Sequence, residues 1–93
     1  MANNLVNDQA IKSTMKGFIT ETFLPSADLE SFNDNDSFME TGIIDSTGVL
    51  ELLEFIEETF EIRVEDEEVV PANLDSLEKL AVFIKRKVAD AGQ

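Results

Sequence analysis

Apolar positions along the chain recur at the three- and four-residue spacing of amphipathic helices. The first such segment begins near Asn7 or Asp8, either of which can cap a helix, and Pro25 ends it at or before Leu24. This pattern predicts a long first helix with one side against a core. Its predicted apolar face consists of Ala10, Ile11, Met15, Phe18, Ile19, Thr22 and Phe23.

The stretch from Ser26 to Ile44 has no sustained period and predicts a loop that is longer than most connections in compact domains. Its scattered apolar residues indicate that this loop packs across the domain. The spacing is compatible with one short helical turn near Asp28 to Phe32.

A second helix is predicted from about Ser46 to Phe60, with Asp45 as its N-cap and Ser46 at the first helical position. Thr47 and Leu50 fall along its acidic side or at the edge of that side. At about 100° per residue, two opposite faces separate. The apolar face holds Val49, Leu52, Leu53, Ile56 and Phe60, and the acidic face holds Glu51, Glu54, Glu57 and Glu58.

The rest of the chain predicts one short helix within Asp66 to Val70, stopped by Pro71, and one last helix. Asp75 has the position of a cap for the last helix, with Glu78 at the capping-box spacing. The apolar stripe of this helix consists of Leu77, Leu80, Ala81, Ile84 and Val88, with Phe83 flanking it.

The predicted fold is all-α: a small four-helix bundle of three main helices and one short helix, with a long loop between helices one and two. The 93 residues suffice for one domain. We expect a flexible terminus over residues 1–6, the domain over 7–89 and a frayed tail over 90–93.

The charge balance is 7 basic against 20 acidic residues, a net charge of −13. It argues against nucleic acid and anionic membrane surfaces as partners, because both bind basic proteins. It favours basic protein partners, although acidic charge also simply keeps a small monomer dispersed. Cys is absent, and neither a signal peptide nor a transmembrane run is visible. We expect a cytoplasmic monomer without membrane insertion.

Ser46 is the one candidate reactive group, and the sequence offers it no base. His, Cys and Tyr are absent, so a hydrolase triad lacks its central member. We therefore predict no catalytic residue. Ser46 is then either an acceptor for modification or an ordinary first-turn residue, and spacing alone favours the latter.

A metal site is also not predicted. The run from Asp34 to Met39 begins like a calcium-binding loop, but Phe38 and Met39 occupy the fifth and sixth positions, where a ligand and a glycine are needed. The twelfth position is Asp45 rather than Glu.

Asp45-Ser46 at the start of an acid-faced helix resembles the acyl carrier protein family, which includes fatty-acid, polyketide, peptidyl and D-alanyl carriers. The resemblance runs from about Asp36 to Val88 and is weaker over the first helix. It includes the Gly42-Ile43-Ile44-Asp45-Ser46 run, Val49 to Leu53, Asp66-Glu67-Glu68 and the Leu74-Asp75-Ser76-Leu77 entry to the last helix.

The resemblance implies that a phosphopantetheinyl transferase attaches 4′-phosphopantetheine to Ser46 and recognises Asp45. The arm then carries an acyl or aminoacyl group as a thioester, in fatty-acid or secondary-metabolite biosynthesis, and other enzymes act on it. It also implies a partner-binding face that meets basic patches on synthases or activating ligases: Thr47, Leu50, Glu51, Glu54, Glu57 and Glu58. The same resemblance implies that apolar residues shelter the arm or its cargo: Leu50, Leu53, Ile62 and Val64.

Thr47 stands where many carriers have a bulky aliphatic residue directly after the serine, and Gly48 follows it. Glu54 replaces an exposed apolar residue that is frequent in fatty-acid carriers. The run from Gly42 to Gly48 looks more like stand-alone D-alanyl, aminoacyl or peptidyl carriers loaded by a dedicated adenylating ligase. A cofactor-free acidic helical adaptor and an acidic metal-binding protein remain the alternatives.

Overall fold

The structure, a computed structural model, describes residues 7–23 and 33–91, and within these ranges it is helical and contains no strand. Three long helices form the body of the fold, which confirms the predicted small all-α bundle. The elements are α1 (Asp8–Phe23), α2 (Phe38–Thr41), α3 (Gly48–Phe60), a 3-10 turn (Asp66–Glu68), α4 (Pro71–Leu74) and α5 (Leu77–Ala91).

The core lies where α5 packs against α1, α3 and α4. The predicted faces are largely confirmed, with two exceptions. On α1, Thr22 is exposed and Thr20 is buried in its place; on α5, Phe83 is fully buried rather than flanking. The buried side chains of the long helices include Ile11, Met15, Ile19, Leu52, Ile56, Phe60, Leu77, Leu80, Ala81 and Ile84.

The start of the first long helix follows the sequence. The Asn7 side chain caps α1, since its Oδ1 accepts the Ala10 N–H at 2.8 Å. Helix α1 reaches Phe23, the last described residue of this range, so the predicted stop at Pro25 lies outside the described residues. Helix α5 extends to Ala91, past the predicted limit of the domain at residue 89.

The prediction for Pro71 was wrong. Pro71 does not stop a helix; it begins α4, where its ring fits the first helical position and its missing N–H has no intrahelical partner to lose. The preceding acidic segment forms only the 3-10 turn.

The predicted cap of the last helix was also wrong. Ser76, not Asp75, caps α5, because Ser76 Oγ accepts the Lys79 N–H at 3.1 Å. The Asp75 carboxylate instead accepts hydrogen bonds from Ser37 Oγ and from the Met39 N–H.

Helix α2 was not predicted. Ser37 caps it by accepting the Glu40 N–H at 3.1 Å, and Gly42 ends it with φ 78°, a left-handed conformation that glycine adopts without strain. The helical turn that we expected near 28–32 and the terminus over 1–6 lie outside the described residues.

Lys12 ties α1 to two other parts of the fold. Its ammonium lies 2.6 Å from a Glu78 carboxylate oxygen on α5 and 3.1 Å from Asp34 in the loop before α2. These two carboxylates, Glu78 first, raise the pKa of Lys12. The loop is further held by the Glu78 N–H, which donates to the Asp34 carbonyl at 2.9 Å.

Candidate functional site

Asp45 fixes the turn that presents Ser46. Its carboxylate accepts the Gly48 N–H at 2.7 Å, and its carbonyl accepts the Val49 N–H at 3.1 Å. The Asp45 side chain thus makes the capping hydrogen bond that was predicted, but α3 begins at Gly48 rather than Ser46, and the residue directly before it, Thr47, makes no side-chain capping bond. Ser46 and Thr47 form an exposed turn ahead of the helix.

Gly48 is required by close packing at this turn. A Cβ there would lie 2.8 Å from the Phe23 ring, 3.2 Å from Ile44 Cγ2 and 3.3 Å from the Asp45 carboxylate. The end of α1 thus packs directly on the first residue of α3.

An apolar cleft of about 260 Å³ opens beside Ser46. Among the described residues that line it, only Ser46 and Asp75, at the junction of α4 and α5, are polar. The apolar lining comes from α2, the loop after it, α3, the segment before α4 and α4 itself: Phe38, Met39, Ile44, Val49, Leu52, Val69, Val70, Pro71 and Leu74.

The wall of the cleft that follows the 3-10 turn is held by an ion pair. Lys87 on α5 lies 2.9 Å from a Glu68 carboxylate oxygen, and the same oxygen accepts the Glu65 N–H at 2.9 Å. The hydrogen bond from Glu65 and the pairing with Lys87 lower the pKa of Glu68. This pair anchors the segment that continues into Val69 and Val70.

The predicted acidic face of α3 is present, and it borders an aromatic pair. Glu51, Glu54 and Glu58 are exposed and surround a shallow depression together with Phe18 and Phe55. The two rings stack with centroids 4.0 Å apart and planes at 11°. Carboxylates beside ring faces form a surface suited to cationic side chains.

Two members of the predicted partner face differ from the rest. Leu50 is 68% exposed, as an apolar contact residue would be. Glu57 is half-buried, and its carboxylate accepts the Val64 N–H at 2.8 Å, which holds the chain after α3. Glu57 therefore has a structural task besides any role in partner binding.

The residues expected to shelter cargo are not those that line the cleft. Leu53 and Val64 pack against the core, Ile62 is buried within it, and Leu50 points to solvent. The cleft is built instead from α2 and from the segment around Pro71. Periodicity does not identify these residues, because neither segment is long enough to show a period. The sequence signals for the two short helices are Ser37 as a cap and Pro71 at a first helical position.

Within residues 7–23 and 33–91, no three His, Cys, Asp or Glu side chains are grouped so that they could hold a metal ion. No helix in the same ranges has the length and apolar character needed to cross a membrane.

No protein-family model matches the sequence, and no curated protein sequence matches it. The arguments for function therefore come from the resemblance in the residues and from the geometry around Ser46.

Proposed function

We propose that the protein is an acyl carrier: Ser46 accepts 4′-phosphopantetheine from a separate transferase, and the arm presents an acyl thioester to partner enzymes. The observation that carries this proposal is the position of Ser46, an exposed hydroxyl at the mouth of an apolar cleft. A carrier serine has to be reachable by the transferase, and an acyl group gains from an apolar surface close to its attachment point.

The residues around Ser46 fit such a group. The turn is held by the Asp45 carboxylate while Ser46 itself stays exposed, so a transferase can reach the hydroxyl without unfolding α3. When attached, the cofactor supplies a terminal thiol, and this chain contains no Cys of its own. The chain contributes the acceptor hydroxyl and the apolar surface.

The lining of the cleft favours acyl over aminoacyl cargo. A charged amine gains little from a surface built almost entirely of apolar side chains, because the Asp75 carboxylate in it already accepts hydrogen bonds from Ser37 and Met39, and desolvation of the amine is unfavourable. At about 260 Å³ the cleft is slightly smaller than the usual range for ligand sites, which suits a short or medium aliphatic chain. The alternative is an aminoacyl or D-alanyl carrier loaded by an adenylating ligase. Identification of the cargo would distinguish the two.

Partner enzymes are proposed to dock on the turn and the exposed face of α3, through Thr47, Leu50, Glu51, Glu54, Glu57 and Glu58. Exposed charge gives fast encounter with basic patches and little net affinity, which suits a carrier that must release each partner. We place this carrier in the cytoplasm as a monomer.

The test is intact mass spectrometry after incubation with coenzyme A and a broad-specificity phosphopantetheinyl transferase. The wild-type protein should gain the mass of one phosphopantetheine, the Ser46→Ala variant none, and the Ser13→Ala variant, which lacks another exposed serine on α1, the same as wild type. An unchanged wild-type mass, or modification that survives Ser46→Ala, contradicts the proposal.

A cofactor-free adaptor is the second candidate, and the acidic depression beside Phe18 and Phe55 is the observation that favours it. An adaptor binds its basic partner equally well when Ser46 is Ala. A carrier loses its function in cells with the same substitution, although its fold is retained.

A further inference from the structure

Asp75 makes several hydrogen bonds to the start of helix α2. The Asp75 carboxylate accepts hydrogen bonds from Ser37 Oγ and, at 3.0 Å, from the Met39 N–H. The Asp75 carbonyl accepts the Phe38 N–H at 2.9 Å. Three consecutive residues around the start of α2 thus donate to a single residue at the α4–α5 junction.

The hydrogen bonds from Phe38 and Met39 to Asp75 join residues that line the cleft beside Ser46. Phe38 and Met39 of α2, Pro71 and Leu74 of α4, and Asp75 are all among its lining residues. The Phe38 carbonyl also accepts the Ile44 N–H at 3.2 Å, which connects α2 to the residue two before Ser46. A shift of α2 relative to α4 would therefore change the shape of the cleft.

Helix α2 depends on its contacts with the rest of the protein. It has four residues, too few for a helix that is stable by itself. Phe38 is buried, but Met39 is 51% exposed and Glu40 and Thr41 are exposed as well. Without the Asp75 carboxylate, the anchors of α2 described above are the Phe38 ring and two backbone hydrogen bonds.

We propose that Asp75 is a positioning residue that fixes the α2 wall of the cleft and so determines how well the cleft takes an apolar chain. The inference rests on the proposed function only in assigning an apolar chain to the cleft. In place of the predicted cap of α5, the Asp75 side chain positions α2 at the cleft. A side chain that pre-forms a binding wall improves affinity, since a wall that is only partly populated lowers the apparent affinity by the fraction formed.

The test compares Asp75→Ala, Asp75→Asn and Ser76→Ala, with octan-1-ol as a neutral aliphatic probe that the acidic protein does not repel. Asn keeps an oxygen for the Met39 N–H and an amide that can bond Ser37 Oγ. Ser76→Ala is the matched control, because it removes the α5 cap at the adjacent residue and leaves the bonds to α2 intact. Octanol binding is followed by NMR shifts of the Ile44, Leu52 and Leu74 methyl groups, and α2 by amide hydrogen exchange.

Asp75→Ala should weaken octanol binding by about fivefold and speed exchange at the Met39 amide by about tenfold. Asp75→Asn should keep most of the wild-type octanol affinity and most of the protection of the Met39 amide. Ser76→Ala should lower the free energy of unfolding without changing the octanol affinity or the Met39 exchange rate. Unchanged octanol affinity and unchanged Met39 exchange in Asp75→Ala overturn the proposal, as does an absence of octanol binding to wild type. Modification of Ser46 by a transferase does not depend on any of these results.

Should Asp75→Ala fail to fold, Ser37→Ala removes one of the two bonds to the carboxylate. It should produce smaller changes in octanol affinity and Met39 exchange in the same direction. No change in either measurement for this variant contradicts the proposal equally.

Discussion

Two residues at the start of α3 decide how Ser46 is presented. Asp45 closes the turn through the Gly48 N–H, and Gly48 lets the Phe23 ring of α1 pack on the helix start. The exposed hydroxyl therefore stands on a turn that is held from two sides.

Substitution of Asp45 separates capping from recognition. Asp45→Ala should lower the free energy of unfolding by about 1 kcal/mol, because the Gly48 N–H loses its acceptor. Asp45→Asn should lose only a few tenths of a kcal/mol, since Asn is an equally good N-cap. Urea denaturation measures both, and equal stability of Asp45→Ala and wild type would contradict the capping role.

The same variants test recognition. If Asp45→Asn folds normally but is modified poorly by the transferase, the charge of Asp45 serves recognition.

The two helical glycines with negative φ should respond in opposite directions to alanine. Gly48→Ala should destabilise by about 1 kcal/mol net, because crowding against Phe23 outweighs the gain in helix preference. Gly17→Ala, with no atom of the described residues within 4 Å of the new Cβ, should stabilise by about 0.5–1 kcal/mol. Thermal and urea unfolding of the pair provide the check, and stabilisation by both substitutions would show that Phe23 does not constrain Gly48.

At the scale of elements, two short segments shape the cleft between the long helices. Helix α2 is held by Asp75, and the segment after the 3-10 turn is held by the pairing of Glu68 with Lys87. Both anchors are polar, and they connect a short segment either to α5 or to the junction between α4 and α5. The cleft thus depends on side chains outside the predicted apolar faces.

The Glu68 anchor should make stability depend on pH. Its pKa is lower in the folded protein than in the unfolded chain, so it adds stability above the unfolded pKa. That contribution is lost as the pH falls through the folded pKa. Glu68→Gln should therefore be less stable than wild type at about pH 7, by under about 1 kcal/mol, and the difference should shrink toward about pH 3.

The control for this experiment is Glu67→Gln, which removes an equal charge from an exposed neighbour. Denaturation curves at several pH values compare the two variants. A Glu68→Gln effect that is constant across this pH range, or equal to that of Glu67→Gln, would show that the pairing with Lys87 does not anchor the segment.

The sequence predicted the long helices better than the short segments. The long helices, the Asn7 and Asp45 caps and most of the apolar faces followed from periodicity, because each long helix has several turns over which apolar positions repeat. Helix α2 and the roles of Pro71 and Asp75 did not, since a four-residue helix shows no period and a side-chain partner 38 residues away, as for Ser37 and Asp75, leaves no local signal. The cleft was missed for the same reason.

For the whole molecule, charge is the dominant feature. A net charge of −13 on 93 residues repels itself in the folded state, and the exposed face of α3 concentrates part of it. This face is the surface proposed for basic partners. The same charges that speed encounter with partners reduce the stability of the free protein.

The melting temperature should therefore rise with salt, by about 5 °C between about 10 mM and about 300 mM NaCl, as the Debye length shortens. Replacing Glu51, Glu54 and Glu58 together by Gln should raise the melting temperature at low salt and reduce its salt dependence. Calorimetry or circular dichroism measures this. A melting temperature independent of ionic strength in the wild type contradicts the argument.

The most direct measurement of the central claim is fragment mass spectrometry of the protein isolated from its own cells. The account predicts a phosphopantetheine on Ser46 whose thiol carries an acyl group that hydroxylamine releases, in some or all of the molecules. Ser46 found unmodified in every molecule, and still unmodified after incubation with coenzyme A and a transferase, would contradict it.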